Sequence, residues 1–164
     1  QNEIIYCEIQ KKWVKLTNCV VDNLQNQPKK IRDVLYDLLR KSGCNVAQIP
    51  AHVQNSIEAC TDILLTRVSP RYVREQIHAN PKIYKALHRK DKHSLLSYLL
   101  QDEDFSTLNG LQLMSLRDNT EVAFKTCTPY NQPRHVYLPS EIYPMALFPN
   151  HQAYFINTDN MEYW

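Results

Sequence analysis

Residues 28–43, PKKIRDVLYDLLRKSG, carry the clearest structural signal in the chain. Their apolar side chains recur at the i, i+3, i+4, i+7 and i+8 spacing of one helix face: Ile31, Val34, Leu35, Leu38 and Leu39. Proline suits the first turn of a helix, and glycine suits the left-handed position just past its end. This stretch is therefore predicted to be an amphipathic helix between Pro28 and Gly43 that buries a leucine-rich stripe.

Further short helices are predicted after it. The second helix starts near Pro50, and its apolar face carries Val53, Ile57, Cys60 and Leu64. In SPRYVREQIHAN, residues 69–80, Ser69 can cap the free N–H groups and Pro70 fills the first helical position. Asn80 and Pro81 then end this helix and start the next, PKIYKAL.

The last helix is predicted in DKHSLLSYLL, residues 91–100, with Asp91 as its cap. Its inward face is expected to carry Leu95, Leu96, Leu99 and Leu100. Helices this short are marginal alone, so the packing of their apolar stripes must hold them.

Both ends of the chain show the alternation of β-strands. EIIYCEIQKKWVKLTNCVV, residues 3–21, alternates on either side of Gln10-Lys11-Lys12 and predicts a hairpin, with Trp13 covering an edge of the core. LNGLQLMSLRDNTEVAF, residues 108–124, predicts a second hairpin with Asp118 and Asn119 in its turn. HVYL and YFIN are predicted as further strands, and Ser140 as the cap of a short helical turn.

These segments predict an α+β fold in one module. It consists of an N-terminal β-hairpin (1–22), a part with four or five short helices (28–101) and a small C-terminal antiparallel β region (108–160). Because the sequence starts at Gln1 without a methionine, we expect it to be a piece of a much larger chain.

The composition is that of an ordinary globular protein. The 164 residues are 43% hydrophobic and 22% charged, the longest apolar runs have about four residues, and no signal peptide is visible. Such runs predict no membrane insertion. The five cysteines include no C-x-x-C pair, which favours reduced, buried thiols in a cytosolic protein and no metal site.

The sequence offers no constellation for catalysis. Asp91, His93 and Ser94 are close in sequence, but neighbouring residues on a helix point about 100° apart, so His93 and Ser94 cannot face each other. With only Gly43 and Gly110, the chain has no loop that could cradle a phosphate. We therefore predict no catalytic residue and no cofactor.

Charge is unevenly distributed. Residues 67–92 are strongly basic, whereas residues 102–121 are acidic except for Arg117. Such a distribution could steer a charged partner, or it could simply be a solvated helix face. The candidate partner contacts are Arg71, Arg74, Lys82, Lys85, Arg89, Lys90, Asp118 and Asn119.

An alternative hypothesis is that the chain is a nucleic-acid-binding module and not a protein-binding one. Short helices followed by a hairpin are also typical of a winged helix, in which SPRYVREQIHAN would insert into DNA. Against this, Val73 and Ile77 have core spacing, and aromatic residues are not interleaved with the basic ones.

The order of motifs along nearly the whole chain resembles the repeating regions of the sacsin family. WVKLTNCVV is followed by QIPAHVQNSIEA, SPRYVREQIHANPKIY, DKHSLLSYLLQD, LNGLQLMSLRDNTEVAF and HVYLPSEIYPMALFPN. The resemblance implies a segment of a giant chaperone-like protein, outside its ATPase-like module. It also implies a non-catalytic role that scaffolds or contacts chaperones, clients or cytoskeletal filaments such as intermediate filaments. The implied location is the cytoplasm, including the mitochondrial surface.

Overall fold

The computed structural model describes residues 4–7, 9–60, 64–102, 105–115 and 121–123. The chain divides into two compact units, Gln1–Asp102 and Glu103–Trp164. In the described residues the architecture is mixed α+β, as predicted: an N-terminal antiparallel strand pair, five α-helices and a C-terminal strand pair.

The first unit opens with the predicted hairpin. Strands β1 (Ile4–Cys7) and β2 (Lys12–Lys15) pair antiparallel, with Tyr6 opposite Trp13. The hairpin ends before the predicted boundary at residue 22, because β2 is followed by a 3₁₀ turn at Leu16–Asn18. That turn leads the chain out of the hairpin and into a different sheet.

The next strand lies at the centre of a small parallel sheet that the sequence did not reveal. Strand β3 (Cys19–Val21) pairs parallel with β4 (Asn45–Ala47). On its other side, Val21 accepts from Val68 N–H at 2.9 Å and donates to the carbonyl oxygen of Thr66 at 2.8 Å. Strand β3 therefore has a parallel neighbour on each side.

Helices connect these parallel segments. Helix α1 (Lys29–Lys41) crosses from β3 to β4, and helix α2 (Ala51–Cys60) leads from β4 towards the segment beside Val21. The stripe of α1 is as predicted in its centre, where Leu35, Leu38 and Leu39 are buried. Leu64 was placed on the wrong element: it lies beyond α2 and is 91% exposed, whereas Leu65 is buried.

Helices α3 (Pro70–Ala79), α4 (Pro81–Lys85) and α5 (Arg89–Leu99) follow. Ser69 caps α3 as predicted, its hydroxyl accepting from Tyr72 N–H at 3.2 Å. The prediction for Asp91 is wrong, because α5 begins two residues earlier and His88 Nδ1 accepts from Lys90 N–H at 3.3 Å. Asp91 lies in the first turn instead.

Two groups of apolar side chains hold the first unit. One lies on the helices: α1 packs against α5, and the buried residues are Leu35, Leu38, Leu39, Val73, Ile77, Tyr84, Leu95, Leu96, Tyr98 and Leu99. The other joins the hairpin to the parallel sheet: Cys7, Leu16, Cys19, Val21, Ala47, Ile49 and Leu65. Each fully buried leucine stabilises the fold by roughly 1.5–3 kcal/mol.

In the second unit, β5 (Gln112–Ser115) and β6 (Glu121–Ala123) pair antiparallel, with Ser115 opposite Glu121. This confirms the predicted C-terminal antiparallel pair. The predicted turn residues Asp118 and Asn119, the strands HVYL and YFIN, and Ser140 lie outside the described residues.

Candidate functional site

Four of the predicted contact residues lie exposed on two consecutive helices. Lys82 and Lys85 are on α4, and Arg89 and Lys90 are the first two residues of α5. We call these four residues the basic surface. These four cations are close in sequence, because α4 ends at Lys85 and α5 begins only four residues later.

The start of α5 concentrates positive charge. The N-terminus of a helix carries a partial positive charge, and cations placed there are unfavourable by roughly 0.3–1 kcal/mol each. Arg89, Lys90 and Lys92 all lie in or next to this first turn, and Asp91 is its acidic residue. An anionic group brought to this end of the helix would therefore be stabilised.

Three of the four cations of the basic surface form no ion pair with a described residue. Within the part of the chain that the structure describes, no ion pair involves Lys82, Arg89 or Lys90. Nearby, Lys92 Nζ lies 5.5 Å from the ring centroid of buried Tyr84 in a cation–π contact. Three side chains thus keep their charge available to a partner.

The two predicted contacts on α3 are placed differently. Arg71 is exposed, and its Nε donates to Glu75 Oε1 at 3.2 Å. Arg74 is fully buried: its Nε donates to the carbonyl oxygen of Leu99 at 2.8 Å, and its Nη2 donates to the same oxygen and to that of Asp102. A side chain enclosed in this way cannot touch a partner, so Arg74 is removed from the contact set.

This arrangement also bears on the winged-helix alternative. A helix that inserts into DNA must present an exposed basic face. In α3, Val73, Arg74 and Ile77 are all buried, and exposed Arg71 is paired with a carboxylate. The helix predicted to insert therefore serves the core.

A buried polar cluster escaped sequence reasoning. Asp22, directly after β3, is 3% exposed; its Oδ1 accepts from Leu24 N–H at 2.9 Å, and its Oδ2 accepts from Tyr36 OH at 2.7 Å and Gln48 Nε2 at 3.3 Å. Burial, and then the hydrogen bond to and charge of Asp22, raise the pKa of Tyr36 to about 12. Tyr36 thus stays protonated and donating near neutral pH. The cluster joins β3, α1 and the end of β4, which is a structural role.

Two buried thiols form the other unusual cluster. Cys7 Sγ lies 3.7 Å from Cys19 Sγ. Burial, followed by the contact with Cys7, raises the pKa of Cys19 to about 12. Burial also raises the pKa of the Cys44 thiol, which accepts from Tyr72 OH at 3.3 Å. A thiol kept protonated in this way is a poor nucleophile.

Metal ligands and membrane-spanning helices are both absent from the described residues. No group of three or more histidine, cysteine or acidic side chains is arranged there to hold a metal ion. Among the helices of that part of the chain, none combines the length and the apolar character that crossing a bilayer requires.

Fold and surface together define a small α+β module with a basic helical surface. No protein-family model matches the chain, and no solved structure matches it. The chain is similar to sacsin of Homo sapiens, with 28% identity over 165 residues. The similarity covers 99% of this chain but 3% of sacsin's length. The chain is thus similar to a short segment of sacsin, which confirms the resemblance predicted from its motifs.

Proposed function

We propose that this chain is a non-catalytic protein-interaction module of a giant sacsin-like protein. Its basic surface, formed by Lys82, Lys85, Arg89 and Lys90, binds acidic segments of protein partners. The observation that carries the proposal is the exposure of these four cations on two consecutive helices, with Arg89 and Lys90 at the positively charged start of α5. Such a surface raises the rate of encounter with an anionic partner and is screened by salt.

At the basic surface, a protein partner is favoured over nucleic acid. Single-stranded nucleic acid binds through exposed aromatic side chains set among cations, yet Tyr84 beside the basic surface is buried. A winged helix inserts an exposed basic face into duplex DNA, whereas on α3 Arg74 is buried and exposed Arg71 is paired with Glu75.

The similarity to sacsin supports the proposal that the partners are proteins. By that resemblance the partners are chaperones, client proteins or cytoskeletal filaments, and the location is the cytoplasm or the mitochondrial surface. A non-catalytic role is supported by the state of the buried reactive groups. Asp22 is occupied by three donors, and the thiol of Cys19 is held protonated.

The experiment uses fluorescence anisotropy with a labelled acidic peptide of alternating glutamate and serine, and with its lysine counterpart. The test variant is Arg89→Glu/Lys90→Glu. The matched control is Lys29→Glu/Lys30→Glu, which reverses two adjacent exposed cations at the start of α1. We expect the test variant to bind the acidic peptide about tenfold more weakly, a difference of about 1.4 kcal/mol, and the control to bind like the wild type.

Three results would contradict the proposal. Equal losses of affinity in the test and control variants would show that binding depends on net charge alone. Tighter binding of duplex DNA, with a steep dependence on salt, would favour the nucleic-acid alternative. Micromolar ATP affinity by calorimetry would overturn the non-catalytic role.

A further inference from the structure

The N-terminal hairpin exposes a tryptophan. Trp13 on β2 is 68% exposed, and its ring lies 5.3 Å from that of Tyr6, tilted by 58°. The sequence predicted the opposite, with Trp13 against the core. Cross-strand aromatic pairs contribute roughly 0.5–1.5 kcal/mol, but that gain does not require so large an exposed surface.

The alternation of the strands explains this placement. Ile5 and Val14 lie opposite each other and pack against the buried cluster that contains Cys7. Because successive side chains point to opposite faces of a strand, Tyr6 and Trp13 must lie on the outer face. Lys15, two residues after Trp13, shares that face.

In the described residues, strand β2 lies at the edge of its sheet. Among the described residues, the sheet containing β2 has only one other strand, β1. An edge strand of this kind can add the extended backbone of another chain through N–H and C=O pairs, while side-chain pockets set the specificity.

The charges on this edge indicate what it would accept. The sequence of β2 is KWVK, without an acidic residue: Lys12 and Lys15 are both exposed, and Lys15 shares the face of Trp13. Lysines alone would be explained as protection of an edge against aggregation. Protection against aggregation does not explain an exposed tryptophan between them in sequence, because an exposed apolar ring favours association at the edge.

We propose that the edge of β2 binds an extended peptide by strand addition, and that the peptide carries an apolar side chain with an acidic one two positions away. The apolar side chain packs on the ring of Trp13, which Tyr6 supports from the other side. A carboxylate two positions away, about 7 Å along the strand, meets Lys15. This site uses none of the residues of the basic surface and does not depend on the proposed function of that surface.

The test measures the fluorescence of Trp13 in a Trp164→Phe background, since the chain has two tryptophans. The probe is the heptapeptide acetyl-Ser-Glu-Thr-Leu-Thr-Glu-Ser-amide, titrated into the otherwise unchanged 164-residue chain. A peptide with proline in place of both threonines is the backbone control, because proline removes the N–H donors at these two positions and disfavours pairing within a sheet. We expect a blue shift with the probe and at least tenfold weaker binding of the proline peptide.

Variants locate the binding. Using the probe with a fluorescent label, Trp13→Ala should abolish binding and Lys15→Glu should weaken it about tenfold. Lys30→Glu, with the same charge change on α1, should bind like the wild type. Trp13 is exposed, so its removal should leave the far-ultraviolet circular dichroism unchanged; Lys15→Glu provides a second test if Trp13→Ala is unfolded.

Three outcomes would overturn the proposal. One is the absence of probe binding to the wild type. Another is equal binding by the wild type and the Trp13→Ala and Lys15→Glu variants. The last is a dimer in sedimentation equilibrium that Trp13→Ala disrupts, which would place a second copy of the chain on this edge.

Discussion

Arg74 Nε donates a 2.8 Å hydrogen bond to the carbonyl oxygen of Leu99, so a fully buried guanidinium on α3 closes the end of α5. The last carbonyl groups of a helix have no partner within it, and a cation there also complements the negative end of the helix dipole. The same side chain reaches the carbonyl oxygen of Asp102, which extends its hold beyond the helix.

Replacing this side chain should be costly. We expect Arg74→Lys to lower the free energy of unfolding by about 2–3 kcal/mol, because an ammonium group cannot reproduce the fork of donors and each bond from a charged donor is worth roughly 1.5–3 kcal/mol. Urea unfolding measures the loss. Arg71→Lys on the same helix is the control and should change stability by less than about 0.5 kcal/mol. Equal losses would contradict the role of Arg74.

The cluster around Asp22 gives a second prediction. Asp22→Asn replaces one acceptor oxygen with a donor, which then faces Leu24 N–H or the donors Tyr36 OH and Gln48 Nε2. We expect a loss of about 1–3 kcal/mol in urea unfolding. Asp33→Asn, on the exposed side of α1, is the control and should be nearly neutral. A neutral Asp22→Asn variant would show that these hydrogen bonds do not persist in solution.

The raised pKa of Tyr36 predicts a dependence on alkaline pH. Its pKa is 10.0 in the unfolded chain and about 12 in the folded one, so its contribution to stability is present below about pH 10 and declines as pH rises towards 12. The stability difference between the wild type and Tyr36→Phe should therefore shrink from pH 9 to pH 11. Urea midpoints at several pH values measure it, and a constant difference would contradict the assignment.

Gly43 ends α1 with a φ of +79°, the left-handed region. A Cβ at this position would meet no atom within 4 Å, so the cost of Gly43→Ala is that of the backbone alone. We expect a loss of about 1–2 kcal/mol for alanine and a smaller one for asparagine, which tolerates this region. Thermal unfolding of both variants is the measurement. Equal stability of the alanine variant and the wild type would be evidence against the left-handed conformation.

The buried thiols predict a difference in alkylation. At pH 8 in the native state, Cys19 should react with iodoacetamide far more slowly than in urea, because it is 8% exposed and burial raises its pKa to about 12. Peptide mass spectrometry after timed quenching follows the reaction. Similar rates in the two conditions would show that the hairpin separates from the parallel sheet in solution.

The structure follows from the sequence where local signals decide it. The leucine spacing of α1, the Ser69 cap of α3 and the alternation of the first hairpin all depend on residues a few positions apart. The exposed cations of the basic surface were found because long charged side chains on short helices stay in water.

Local sequence does not predict the structure where contacts between distant residues decide it. Strands β3 and β4 have three residues each, too few to show a period, and their pairing depends on the crossover through α1. Arg74 is buried because its acceptor is Leu99 on another helix. Trp13 was assigned to the wrong face because its size suggested the core, whereas the position of Val14 fixes the face of its neighbours.

Strand β3 lies between two parallel neighbours, and this position sets the order in which the first unit can be completed during translation. Val21 leaves the ribosome before the segment at 66–68 that hydrogen-bonds to it, which is synthesised only after α1, β4 and α2. Until then one edge of β3 is open, and contacts between residues so far apart in sequence form slowly. The hairpin and α1 can form from local contacts as they emerge, but the sheet that joins them is completed only after residue 68.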